Sequence, residues 1–173
     1  LGLEQAQSAK YARILRELGA KAGDHILEVG CGWGGFAEHA ARAGCRITGI
    51  TVSEAQLDYA RARIAAAGLQ DRVELRLCDY RDLEGQFDHV VSIEMFEAVG
   101  ERYWPGYFAT LRDRLKPGGL AVVQTITIAE SKFERYRGGT DFIQQYIFPG
   151  GMLPSPERFR AEAAGQGLAL AGM

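Results

Sequence analysis

The sequence predicts an α/β fold, a mostly parallel sheet with helices on both faces. Short apolar runs alternate with helical patterns along the whole chain. Several of these runs are apolar at consecutive positions (Ile26-Leu27, Val90-Val91, Ala121-Val122-Val123), as strands covered on both faces should be. A glycine-rich turn also directly follows the first run and opens a helix. Alternation of this kind implies right-handed crossovers between parallel strands. At 173 residues and 47% hydrophobic content, the chain fits a single domain, 1–173, with enough apolar side chains for a core.

The elements follow in order. Residues 4–18 place Ile14, Leu15 and Leu18 on one helical face, and Gly19 stops them. His25–Val29 is the first strand and 46–50 the second. Ser53-Glu54-Ala55-Gln56 reads as a capping box opening a helix with Leu57, Ala60 and Ile64 on one stripe, ended by Gly68. Val73–Leu77 and Phe87–Ile93 follow as strands. Pro105 suits the first helical position, and Phe108, Leu111 and Leu115 share a face before Lys116-Pro117-Gly118-Gly119 breaks the helix. A fifth strand is expected over 119–127.

Residues 131–151 interrupt the rhythm with Phe133, Tyr136, Phe142, Tyr146, Ile147 and Phe148 among charges. They read as an inserted cap or substrate wall, with a plain connection as the alternative. Ser155-Pro156 restarts a helix, and 167–170 is expected as a strand cut short, so the last strands of the sheet are missing. The chain reads as the core of a longer protein.

Twenty Lys and Arg against 22 Asp and Glu give a net charge of −2, with none of the basic surface nucleic-acid binding needs. The charged fraction is too ordinary for a disordered chain. Cys31, Cys45 and Cys78 are scattered, with no CxxC pair, which argues against a disulfide framework or zinc site. His25, His39 and His89 form no metal set, so no metal is expected. No apolar run approaches a membrane span and no signal peptide opens the sequence. A cytoplasmic location, with peripheral membrane contact, is the expectation.

Gly30, Gly32 and Gly35 satisfy the G-x-G-x-x-G spelling of a dinucleotide loop. A dinucleotide site also wants an acid about 20 residues on, at the end of the second strand, for the ribose. That strand ends Gly49-Ile50-Thr51-Val52, with no carboxylate before Glu54. The acid instead precedes the first glycine, as Glu28-x-Gly30-x-Gly32-x-Gly34, which is the pattern of S-adenosylmethionine-dependent methyltransferases. A nucleophilic role for Cys31 inside this loop is disfavoured, because no base is near it in sequence.

The chain resembles the cyclopropane fatty acid synthase family, including the mycolic acid cyclopropane synthases. The matching stretches are 27–36 (LEVGCGWGGF), 49–56 (GITVSEAQ), 79–83 (DYRDL), 87–100 (FDHVVSIEMFEAVG), 115–119 (LKPGG) and 146–155 (YIFPGGMLPS). The resemblance implies a Rossmann-like class I methyltransferase core. It also implies a reaction in which the alkene of an unsaturated phospholipid acyl chain attacks the sulfonium methyl of S-adenosylmethionine, after which a bound bicarbonate takes a proton as the ring closes.

Carried over by position, Glu28, Gly30, Gly32 and Gly34 belong to the cofactor loop. Thr51, Ser53 and Gln56 face the ribose with neutral groups where a carboxylate is usual. Tyr80 and Arg81 lie beside the adenine, where a flat ring can stack, and Asp79 lies near it. Glu94 joins the cofactor-facing set. Glu97, Gln124 and Ile126 form the catalytic anion site. A Glu97 that helps hold an anion must be partly buried or share a proton with its ligand. Phe133, Tyr136, Phe142, Tyr146 and Phe148 are candidates for the wall of an acyl channel.

Gln124 stands where the family has a histidine. An amide can position bicarbonate but cannot relay a proton. Two rival readings stay open on these residues: a small-molecule amine N-methyltransferase, and a non-catalytic cofactor-binding module.

Overall fold

The structure, a computed structural model, describes residues 2–139 and 151–172. Its sheet has five strands in the order β3-β2-β1-β4-β5. These are β1 (His25–Val29), β2 (Arg46–Thr51), β3 (Val73–Leu77), β4 (Phe87–Ile93) and β5 (Leu115–Gln124). β1 pairs in parallel with β2 (Glu28 opposite Gly49) and with β4 (Glu28 opposite Val91), and β2 pairs in parallel with β3. The order runs outward from β1 to β3 and then restarts across β1 at β4. In such a sheet ligands gather where the order reverses, beyond the carboxyl ends of the strands. Ile26, Leu27, Glu28 and Val29 are all buried, as a central strand covered on both faces must be.

Two compact units divide the chain, Leu1–Ser92 with Arg114–Val122, and Ile93–Asp113 with Val123–Met173. In the first, α1 (Leu3–Leu18) buries Ile14 and Leu18 and ends on Gly19, whose φ of 61° lets its N–H close the last turn. α2 (Gly35–Arg42) and α3 (Glu54–Ala66) are the crossovers that flank β2. α3 buries Leu57, Ala60 and Ile64, the stripe read from the sequence.

The second unit is organised by aromatic rings. Phe96 is fully buried, with ring centroids 4.9–5.4 Å from those of Trp104, Tyr107, Phe108 and Phe159. Trp104 heads α4 (Trp104–Arg114), and its indole N–H donates to the Val99 carbonyl at 2.9 Å. Each such ring pair adds about 0.5–1.5 kcal/mol beyond the area it buries. Glu101 gathers two helices, accepting from Arg137 at the end of α5 (Glu130–Arg137) and from Arg158 in the first turn of α6 (Pro156–Gly165). Ser155 caps α6 and donates its hydroxyl proton to Glu130.

Three expectations need correcting. The fifth strand starts at Leu115, not at 119, and ends at Gln124. Gly118 takes φ 80°, and a Cβ on Gly119 would stand 2.5 Å from the Asp88 carbonyl oxygen, so backbone runs against backbone through the break. Residues 125–127 leave the ladder because the Ile126 amide donates to Glu97 instead. The expected strand at 167–170 is not one: Gly167 and Leu168 close the end of α6 onto Ala164 and Ala163, and no strand partner meets them among the described residues. The Ser53 capping box is half formed. Ser53 accepts from the Gln56 amide, but the Gln56 side chain turns to Thr51. The segment expected as an insertion opens as helix α5, with Phe133 buried, while Phe142, Tyr146, Ile147 and Phe148 lie outside the described residues.

Candidate functional site

The carboxyl ends of three neighbouring strands carry the first group of residues. After β1 the chain passes through Gly30, Gly32 and Gly34 at φ 80°, 50° and 77°, conformations that favour glycine. The amides of Gly30 and Cys31 both donate to the Ile50 carbonyl, which pins the loop to β2. Nothing lies within 4 Å of the point where a Cβ on Gly32 would sit, so the loop offers open space there. A Cβ on Gly34 would meet that of Ala60 at 3.0 Å, so this glycine serves helix packing as well.

Glu28 is 3% exposed. The Ala37 N–H, in the first turn of α2, bonds its carboxylate, while Oε2 has no partner among the described residues. Burial pushes its carboxyl well above the usual range. The nearby Cys31 thiol is pushed up to about 12 by burial and then by Glu28, which makes it a poor nucleophile.

At the end of β2, Thr51 donates its hydroxyl proton to Gln56 Oε1 at 2.8 Å and accepts from the Ser53 amide at 3.1 Å. The three residues expected to face a ribose are thus one connected set, and the Gln56 side-chain amide donates to no partner among the described residues. After β3, Asp79 caps the short turn Tyr80–Asp82 and grips Arg81 through both carboxylate oxygens, at 2.9 and 2.6 Å. The guanidinium holds Asp79 below the usual carboxylate range. Arg81 is therefore folded back on Asp79.

A second group lies in the other unit. Glu97, 7% exposed, sits in the short turn Phe96–Ala98 that the Phe96 ring anchors. Its Oε1 accepts from the Ile126 amide at 2.7 Å, its carbonyl accepts from Met152, and Oε2 is buried without a partner among the described residues. Glu97 and the main chain of Ile126, both expected to face one bound anion, are bonded directly to each other. The Gln124 side chain goes elsewhere: Nε2 donates to Glu94 Oε1 at 2.9 Å, and the Glu94 amide donates to the Gln124 carbonyl. Glu94 has φ 53°, the one positive value among the described non-glycine residues.

The histidines take structural places. His25 bonds Thr48 at 2.8 Å, His39 packs near Tyr11, and His89 faces Asp24. Tyr11 went unnoticed in the sequence. Its hydroxyl lies 2.7 Å from where a Gly35 Cβ would sit, so it closes over the start of α2. Its spacing of three and seven residues from Ile14 and Leu18 was the available signal.

The arrangement suits S-adenosylmethionine. One oxygen of a buried acid lacks a partner among the described residues, a glycine turn leaves room, and neutral hydrogen-bonding groups end β2. A family model described as mycolic acid cyclopropane synthetase matches residues 1–173. The chain is 48% identical over 155 residues to the tuberculostearic acid methyltransferase UfaA1 of Mycobacterium tuberculosis, covering 90% of this chain and 36% of that protein. It is 40% identical over 154 residues to the cyclopropane-fatty-acyl-phospholipid synthase of Escherichia coli K12, covering 88% of this chain and 38% of that one. The structure of the cyclopropane synthase MmaA2 from Mycobacterium tuberculosis superposes with a TM-score of 0.87 at 27% identity, over 99% of this chain and 64% of that one. The chain thus spans well under half the length of these curated relatives. Its Rossmann-like methyltransferase fold and the match along its whole length show that the chain belongs to the mycolic acid cyclopropane synthetase family.

Proposed function

We propose that this chain is the S-adenosylmethionine-binding part of an enzyme that transfers a methyl or methylene group to the double bond of an unsaturated phospholipid acyl chain. The observation that carries the reading is the glycine loop with Glu28 behind it and the Thr51–Gln56 pair at the end of β2. Glu28 and the loop would hold the amino-acid portion, Thr51, Ser53 and Gln56 the ribose, and Asp79, Tyr80 and Arg81 the adenine side. Bound there, the cofactor supplies an electrophilic sulfonium methyl.

Transfer to an alkene leaves a cation that must lose a proton. Glu97 is the group proposed to manage that loss, holding a bicarbonate through the oxygen that lacks a partner while the Ile126 amide fixes the other. A carboxylate meets an anion only if one of them keeps a proton, so the pair must share one. With Gln124 held by Glu94, Gln124 contributes position and no proton relay. A second product is open to the same cation: a 1,2-hydride shift followed by loss of the same proton from the transferred methyl gives a methylene branch in place of a ring.

The test is incubation with unsaturated phospholipid and methyl-labelled S-adenosylmethionine, followed by mass spectrometry. A gain of CH2 that resists mild hydrogenation marks a ring, and one that takes up hydrogen marks a methylene branch. Label appearing in small amines and never in lipid would replace the proposal with an amine N-methyltransferase. Loss of rate on removing bicarbonate, restored by adding it back, is the expected behaviour of the anion site.

A further inference from the structure

Glu28 is buried with little around it to stabilise a charge. Across the sheet β2 opposes it with Gly49 and β4 with Val91, and α2 contributes the Ala37 amide. The glycine loop adds Cys31, whose high-lying thiol stays neutral. No charged side chain among the described residues acts on it from any of these elements. One N–H on one oxygen leaves Oε2 bare in a low-dielectric setting, which disfavours the anion strongly.

The loop beside it is shaped to admit a ligand, with open space at Gly32. The cofactor proposed above brings an α-ammonium group, and a positive charge is what this acid lacks. We propose that Glu28 carries a proton while the loop is empty and releases it when that ammonium arrives, so that cofactor capture costs the protein one proton. The carboxylic O–H bond breaks, the proton passes to solvent, and a carboxylate–ammonium pair takes its place. The site is neutral before and after, and only its contents change. The inference rests on the cofactor reading and adds to it a linkage between binding and pH.

The test is titration calorimetry of S-adenosylhomocysteine, which carries the same ammonium, into the whole chain across mildly acidic to neutral pH. Running it in buffers of different ionisation enthalpy counts the protons released. The count should rise to a maximum of no more than one between the bound and free titrations of Glu28 for S-adenosylhomocysteine, and stay close to zero throughout for methylthioadenosine, which lacks the amino-acid group. Below the titration of Glu28, affinity for S-adenosylhomocysteine should rise by up to about tenfold per pH unit. Glu28→Gln should abolish both effects. A count near zero in the wild-type chain overturns the proposal, and so does an equal count for methylthioadenosine. These two outcomes decide the matter even if Glu28→Gln does not fold. Failure of S-adenosylhomocysteine to bind at all would instead overturn the cofactor reading beneath it.

Discussion

Replacing Gly32 with alanine separates the cost of a backbone conformation from the loss of a binding surface. Gly32 sits at φ 50°, so an alanine there adopts the left-handed region at about 1–2 kcal/mol. In a chain of this size that lowers the melting temperature by roughly 2–8 °C. The new methyl meets nothing within 4 Å in the protein itself, so no packing penalty adds to the strain. It does stand where the loop would receive the cofactor. Forcing a methyl into a fitted contact costs about 1–3 kcal/mol, a loss on the order of 10- to 100-fold in affinity for S-adenosylhomocysteine. Gly85→Ala is the control. It also has positive φ, 94°, and open space, but it lies before β4 rather than after a strand. Thermal denaturation and titration calorimetry on both variants give the comparison. The two should melt earlier by similar amounts while only Gly32→Ala loses binding. Undiminished binding in Gly32→Ala, or equal loss in both, would refute the assignment of the loop.

Four further outcomes are expected. Glu97→Gln should lower lipid methylation on the order of 100-fold with little change in melting, since a glutamine oxygen still accepts from Ile126; Glu97→Ala should also destabilise by about 1–3 kcal/mol, because the Ile126 amide loses its acceptor. Calorimetry with NAD should show no binding, for want of a carboxylate at the end of β2; tight binding would restore the dinucleotide reading. Thiol alkylation of the native chain at mildly alkaline pH should modify Cys78 before Cys31 and Cys45, which are buried and whose thiols burial pushes up; mapping the modified peptides checks it. Burial, then Arg46 and Lys116, lower the His25 pKa, so the fold favours its neutral form. Its contribution is complete above the ordinary value of about 6.5 and is lost as pH falls towards the lower folded value, a dip in a melting-temperature profile that His25→Gln should flatten.

The crossover architecture and the glycine turn after β1 were legible because each rests on local rules. Buried strands show as apolar runs, and a turn with three positive φ values needs its glycines at Gly30, Gly32 and Gly34. What the sequence did not show depended on which of two partners a group would choose. Gln56 has the spacing to cap its own helix, yet a hydroxyl two residues upstream of Ser53 competes for it and wins. Ile126 has the β-branched shape of a strand residue, but its amide finds a buried carboxylate. Gln124 was expected at an anion site, but Glu94, thirty residues earlier, holds its side chain. Each is a long- or medium-range contest between hydrogen-bond partners, and periodicity carries no information on its outcome.

The left-handed backbone at Glu94 sets stability against wiring in a way any engineering of this chain would meet. Glycine at this position would relieve about 1 kcal/mol or more of backbone strain, so a screen for heat resistance alone would favour it. The same change deletes the acceptor that holds the Gln124 amide. The variant selected for robustness would leave that amide free to turn to new partners, so the wiring beside Glu97 would change as the melting point rose. Thermostabilised forms of this protein therefore have to be sorted by what holds the Gln124 side chain as well as by the temperature they survive.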